Sequence, residues 1–401
     1  VAPPSFRRSK GGPRIWIHAV SLGEVKVAAS LWKALEQRLP QCFLFISTTT
    51  PHGRQMAEEM FGDAVPIAYA PLDFLGCVRK SLSHVRPQAM VFLETEIWPS
   101  WVAEARRRGI KIALVNGRIS PRSIQGYLKL RPFFREVLRN FDAFSMILKE
   151  DAERIQAMGA DPAKIEINGN AKYDLLAGAA EPQIEHQMRR LLNLGPQERV
   201  FVAGSTREGE EAMILDVYEK ILQKFPHTLL IIVPRHIERT PAIGALLAKR
   251  GFSYQHLSRL KEGGERRQEK VVIVNVFGEL FKIYSVGTLV FCGASLVPLG
   301  GQNPLEPAVW GKPVFYGPSM EDFLDAKALL EYEGGAVPVN GPGMLAEKAL
   351  WFLEHPEALR ALGDGARRAV LKNQDAAGRH ARVIARLLEQ GVRNDHRSRE
   401  R

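Results

Sequence analysis

Residues 291–308 read FCGASLVPLGGQNPLEPA. The apolar run 288–292 at the front is expected to form a short buried strand. Gly300 and Gly301 let the backbone turn tightly and come close to a ligand. Asn303 suits a helix N-cap, Pro304 the first helical position, and Glu306 falls three residues after the cap. Strand, glycine loop and helix start offer free N–H groups and a positive dipole end, where phosphate binds. Glu306 has two readings: a carboxylate one turn in that accepts hydrogen bonds from ribose hydroxyls, or the closing half of a capping box.

The same strand-to-helix alternation spreads outward from this stretch. Strands are expected at 15–19, 43–47, 65–69, 89–93, 110–115 and 143–147, with helices such as 52–61, 72–84 and 98–108 between them. The strand signal lapses between 174 and 197, then restarts at 200–203, 229–233, 271–274, 289–292 and 313–316, with helices at 210–224, 241–250 and 322–330. Short apolar strands alternating with helices make parallel α/β sheets covered on both faces. The expected architecture is two doubly wound, Rossmann-like domains facing across a cleft: 1–176, a linker at 177–197, 198–375, and a C-terminal helix and tail at 376–401. Ligands in such sheets sit beyond the carboxyl ends of the strands.

A chain of 401 residues suits two domains, and 45% hydrophobic with 25% charged residues is ordinary for a globular protein. No apolar run approaches the roughly 20 residues that span a bilayer. Cys42, Cys77 and Cys292 lie far apart in or near apolar segments and read as reduced core residues. The net charge of +11 asks for a partner. Nucleic acid is set aside, because no zinc-finger spacing, RNP-type aromatic motif or basic-region heptad is present. An anionic membrane surface, a phosphorylated acidic substrate, or a basic surface kept for solubility all fit.

Several chemistries lack their motifs. There is no Walker A sequence, no His-Glu-x-x-His, no paired Cys-x-x-Cys and no Gly-x-Ser-x-Gly elbow, and the ten histidines are scattered. No metal site and no cofactor is expected, and no Asp-x-Asp pair is present to hold a divalent ion on a sugar nucleotide. Gly341-Pro342-Gly343-Met344-Leu345-Ala346, the nearest thing to a dinucleotide fingerprint, reads as a loop.

What remains lies where the strands end. Glu24, in His18-Ala19-Val20-Ser21-Leu22-Gly23-Glu24, is placed near a helix start, either as a general base or as a first-turn dipole cap. A helix N-terminus lowers a carboxylate's pKa, so a base there needs burial or a nearby carboxylate to offset it. Glu94 and Glu96, just before Trp98-Pro99, would assist the acid–base step or hold sugar hydroxyls; the other reading is N-capping. Arg118 suits a carboxylate or phosphate. Residues 122–139 interleave Tyr127, Leu130, Phe133 and Phe134 with arginines and lysine, either a surface for lipid head groups or an amphipathic helix packed on its own sheet. In the second half, Gly204-Ser205-Thr206 is expected to open a helix, Arg235 and His236 end a strand, and Gly278-Glu279-Leu280 begins another helix.

Taken together, HAVSLGE, ETEIWP, NGRIS, GNAKYD, GST, VPRH, GEL and GGQNPLEP resemble the 3-deoxy-D-manno-octulosonic acid (Kdo) transferases of lipopolysaccharide synthesis, in order from about residue 15 to at least 327. The resemblance implies a GT-B fold with an acceptor-binding first domain and a CMP-Kdo-binding second domain. It implies inverting, metal-independent transfer of Kdo from CMP-Kdo to the lipid A precursor, lipid IVA. By motif, Glu24 would be the general base, with Glu94 and Glu96 as supporting or acceptor-side carboxylates and Arg118 on the acceptor side or meeting the Kdo carboxylate. Lys172, Ser205, Thr206, Arg235, His236, Gly278, Glu279, Leu280, Asn303 and Glu306 would line the CMP-Kdo site. Such transferases usually begin with a membrane anchor that this sequence does not contain, so the expected location is the cytoplasmic face of the bacterial inner membrane, held peripherally or through an anchor outside the chain. The alternatives are another GT-B sugar-nucleotide transferase or epimerase, and a non-catalytic membrane-surface binding protein of the same fold.

Overall fold

The computed structural model describes the backbone of residues 12–263 and 266–399, with side chains as far as 389. The chain divides into two compact units. One holds the residues up to Leu175 together with those from Asn373 onward, and the other runs from Leu176 to Lys372.

The first unit is built on β1 (Arg14–His18), β2 (Phe43–Thr48), β3 (Ile67–Tyr69), β4 (Ala89–Leu93), β5 (Lys111–Gly117), β6 (Ala143–Met146) and β7 (Ile165–Ile167). They form one seven-stranded sheet in the order β3-β2-β1-β4-β5-β6-β7, and every pairing is parallel. Alternate side chains feed two separate cores. Ile15, Ile17 and Val91 lie on one face, whereas Trp16, Met90 and Phe92 lie on the other. Burial on both faces explains why these strands are continuous apolar runs rather than alternating ones. The first face is covered by the helix Leu22–Arg38 and by the helix Ala376–Arg399, which returns from the far end of the chain and buries Val383, Ile384, Leu387 and Leu388. Each such aliphatic burial stabilises by roughly 1.5–3 kcal/mol before entropy is counted.

The second unit carries β8 (Arg199–Thr206), β9 (Thr228–Pro234), β10 (Gln255–His256), β11 (Val271–Ile273), β12 (Leu289–Cys292), β13 (Val314–Tyr316) and β14 (Ala336–Pro338). This sheet is also parallel throughout, ordered β10-β11-β9-β8-β12-β13-β14. In both sheets the strand order reverses beside the first strand, at β1/β4 and at β8/β12. Loops part there and leave a crevice at the carboxyl ends.

Several details differ from the sequence expectation. Residues 177–197 are folded rather than a linker: Pro182–Leu191 is a helix, and Met188 and Leu192 are buried in the second unit's core. Residues 204–206 open no helix, because β8 continues through them with a bulge against β9 between Gly204 and Thr206. The helix begins only at Glu210, capped by Gly209 at φ +91°. Gly341-Pro342 is not a loop but the start of the helix Pro342–Glu354, with proline in the first turn where its missing N–H costs nothing. The stretch 122–139 makes two short helices, Ile124–Lys129 and Arg131–Arg139, interrupted before Pro132.

Candidate functional site

At the β1/β4 reversal the first unit gathers three glutamates. Glu24 sits in the first turn of the helix Leu22–Arg38 and is 6% exposed. Its Oε2 accepts the Val20 N–H at 2.8 Å, and its Oε1 accepts the Ser21 hydroxyl at 3.1 Å. Burial pushes its carboxyl up to about 7, and the charges of Glu94 and Glu96 push the same way against the Val20 and Ser21 bonds. The offset that a base at a helix start needs is therefore present twice over, as burial and as neighbouring carboxylates.

Glu94 is the first residue past β4 and is held at φ +54°. Its own N–H bonds Val115 at 3.1 Å, and its carbonyl accepts from Arg118 at 3.4 Å. Its carboxylate is paired with the ammonium of Lys172, which opens the helix Lys172–Ala179. Glu96 Oε2 accepts the Trp98 indole N–H at 2.7 Å, and burial, with Glu94 adding to it, raises its pKa. The Tyr127 hydroxyl is raised by burial and by Glu96. Arg118 lies on the next loop, where its carbonyl accepts the Thr95 hydroxyl at 2.8 Å. The fold thus brings Glu24, Glu94, Glu96 and Lys172 together, with Arg118 beside them.

Sequence reading passed over His18. It is fully buried against Phe92, Trp98 and Trp101, with Nδ1 at 2.9 Å from Ser47 Oγ, and burial pushes its pKa down to about 4. This neutral ring packs under Trp98, the residue that fixes Glu96.

The β8/β12 reversal in the second unit is assembled differently from the expectation. Ser205 and Thr206 are buried strand residues, Ser205 at φ +54°. The Thr206 hydroxyl donates to Glu211 at 2.9 Å, and Glu211 is held in a fork by Arg239 at 2.6 and 3.1 Å. Gly300 and Gly301 turn at φ +83° and +79°. Asn303 Oδ1 accepts the Leu305 N–H at 3.1 Å, but the helix there, Leu305–Val309, has only five residues and its N-cap is Pro304 rather than Asn303. Its amide lies 3.5 Å from Glu306 Oε1. Gly278, at φ +82°, precedes Glu279 and the short helix Leu280–Tyr284. Burial alone would raise Glu279, but Lys261 at 2.6 Å and Lys282 at 3.4 Å hold it below the usual carboxylate range.

Arg235 and His236 stand exposed past β9. Arg207, Glu210 and Glu211 belong to this site and were not singled out from sequence. Their signal was legible as Arg207-Glu208-Gly209-Glu210-Glu211 directly after GST, but adjacent glutamates at a helix start look like dipole caps. A cavity of about 540 Å³ opens nearby, lined by Thr240, Tyr254, His256 and Asn275 among others. Among the described residues no group of His, Cys, Asp or Glu is placed to hold a metal ion, and no helix is long and apolar enough to cross a membrane.

A family model for 3-deoxy-D-manno-octulosonic-acid transferase (kdotransferase) matches residues 2–175. A 3-deoxy-D-manno-octulosonic acid transferase from Haemophilus influenzae is 31% identical over 383 residues, spanning 94% of this chain and 88% of that protein. Among solved structures, a glycosyltransferase from Rickettsia africae matches with a TM-score of 0.62 at 12% identity, over 96% of this chain and all of that one. UDP-GlcNAc 2-epimerase from Neisseria meningitidis, bound to UDP-GlcNAc, matches with a TM-score of 0.66 at 13% identity, over 94% of this chain and 100% of that one. At such identities the structural likeness speaks for the fold alone.

Proposed function

Since the chain belongs to the 3-deoxy-D-manno-octulosonic acid transferase family and has the GT-B type of architecture, we propose that it transfers Kdo from CMP-Kdo to lipid IVA with inversion, using Glu24 as general base. The observation that carries this reading is the buried Glu24 carboxylate, poised near neutral pH beside Glu94 and Glu96 at the strand reversal. A base whose pKa lies near the working pH is partly unprotonated yet still basic enough to take a proton. In the step, Glu24 takes the acceptor hydroxyl's proton as that oxygen bonds the anomeric carbon. The bond from that carbon to the phosphate oxygen breaks, and its electron pair leaves with cytidine monophosphate. Glu94, neutralised by Lys172, and Glu96, oriented by Trp98, would hold acceptor hydroxyls around the attacking oxygen.

The first unit would receive the acceptor and the second the donor. Support for a lipid acceptor comes from exposed apolar side chains on the first unit. Leu72 and Phe74 are 77% and 69% exposed past β3, and Leu130 and Phe133 sit exposed among Lys129, Arg131 and Arg135. Apolar side chains with basic neighbours suit acyl chains and an anionic headgroup surface, which would keep the enzyme at the cytoplasmic face of the inner membrane.

The test is transfer from freshly made CMP-Kdo to lipid IVA in the presence of chelator, for wild type and Glu24→Gln. A drop of about 10²–10⁴-fold in turnover with CMP binding intact supports the base. An active variant moves that role to Glu94 or Glu96, and turnover of a UDP-sugar in place of CMP-Kdo would overturn the donor.

A further inference from the structure

The switch-point loops of the second unit are closed on a carboxylate of their own. Glu210 is fully buried, and its oxygens accept the backbone N–H groups of Arg207 at 2.9 Å, Ala294 at 2.7 Å, and Ser295 and Leu296 at 3.0 Å. Backbone N–H groups of this kind are what a loop beside a helix start offers to an anion. Here four such groups in the two loops flanking the β8/β12 reversal are already taken. With those four donors occupied, more of the charge of a donor phosphate falls to side chains.

The cations at these strand ends divide into two sets. Arg239 is forked onto Glu211, and Lys261 and Lys282 are on Glu279, so each faces a carboxylate of the unit itself. Arg207 faces none that the structure records. Its Nη1–H donates to His236 Nε2 at 2.6 Å, and its Nε is buried without a hydrogen-bond partner. An imidazole carries no negative charge, so it orients the guanidinium without neutralising it. Arg207 is also the first residue past β8, beside the strand reversal, and Arg235 and His236 follow directly on the neighbouring strand β9.

We propose that Arg207 binds the donor: its guanidinium leaves His236 and takes the phosphate of the nucleoside monophosphate, beside loops in which Glu210 already holds four backbone donors. The proposal rests on the cytidine-donor reading above. A guanidinium fork matches two phosphate oxygens, and the unpaired Nε–H with the Nη2–H on the same edge makes such a fork. During transfer the leaving phosphate oxygen gains the electron pair of the broken sugar–phosphate bond, and Arg207 meets that charge as it develops.

The experiment measures binding of CMP and of cytidine, which lacks the phosphate, to full-length wild type, Arg207→Met and Arg207→Lys by calorimetry, with kcat/KM for CMP-Kdo alongside. Arg207→Met is expected to weaken CMP about ten- to a hundredfold while leaving cytidine unchanged. Arg207→Lys is expected to recover only part of the loss, because an ammonium is a point charge. Equal weakening of both ligands would mean a structural role and would overturn the proposal, as would unchanged CMP affinity. Wild type that binds neither ligand removes the cytidine-donor reading itself, and this proposal with it.

Discussion

The ammonium of Lys172 is paired with the carboxylate of Glu94, so the helix start that follows β7 supplies the counter-charge for the first residue past β4. The same ammonium lies 3.5 Å from where a side chain on Gly23 would begin, one residue before Glu24. Lys172→Met keeps the aliphatic stem and removes the charge. Glu94 then acts on Glu24 unopposed, and the acid limb of the pH–rate profile is expected to move to higher pH. Glu94→Gln should move it the other way, since Glu94 is one of the charges raising Glu24. Profiles of kcat/KM for the two variants check the opposing signs; a shift in one direction for both removes this electrostatic account.

Stability carries the same signature. The Glu24 carboxyl rises from the ordinary 4.5 to about 7 in the folded chain. Between those values the unfolded chain has released its proton and the folded chain has kept it, so stability falls as pH rises through that window. The ceiling on this cost is about 3 kcal/mol. Glu24→Gln is expected to be more stable than wild type at pH 8 by up to that amount, with the difference vanishing near pH 4.5. Urea midpoints across pH 4.5–8 measure it.

Gly293 is a packing requirement at the second reversal. A Cβ there would lie 2.5 Å from the Ser205 carbonyl and 2.8 Å from that of Gly204, both backbone atoms that cannot swing aside. Gly293→Ala is expected to cost about 1–3 kcal/mol and to weaken CMP binding, because β12 must part from β8. Thermal melts and CMP titrations together test it.

The exposed apolar residues past β3 lead to a prediction about lipid. Leu72→Asp with Phe74→Asp is expected to reduce co-sedimentation with anionic vesicles and to leave CMP affinity unchanged. Wild-type binding should also weaken with salt, as screened basic side chains lose their hold. Vesicle binding unaffected by the double substitution would move the lipid surface elsewhere.

Most of both sheets was legible because their inner strands are buried on two faces and write unbroken apolar runs, as 89–93 and 289–292 do. The strands that went unread, β7, β10 and β14, are the outermost of their sheets or two to three residues long, and their half-exposed side chains leave no such run. The first-unit glutamates were legible because each ends a readable strand or starts a readable helix. What the sequence could not reveal was pairing at a distance. Glu210 reaches 84 to 86 residues along the chain to the loop after β12, a bond that no spacing rule anticipates.

The chain leaves its first unit after Leu175 and re-enters it at Asn373. Synthesis runs in that order, so the first unit is begun early and finished last. Its helix Leu22–Arg38 emerges with Val25, Ala28 and Leu31 lacking the partner helix that carries Val383, Ile384 and Leu387. At 5–20 residues per second the intervening segment takes on the order of 10–40 s to be made. The second unit, being contiguous, can fold within that interval. The first must wait with an apolar face open, which makes the nascent chain a customer for chaperones and gives its final helix the role of a late fastening.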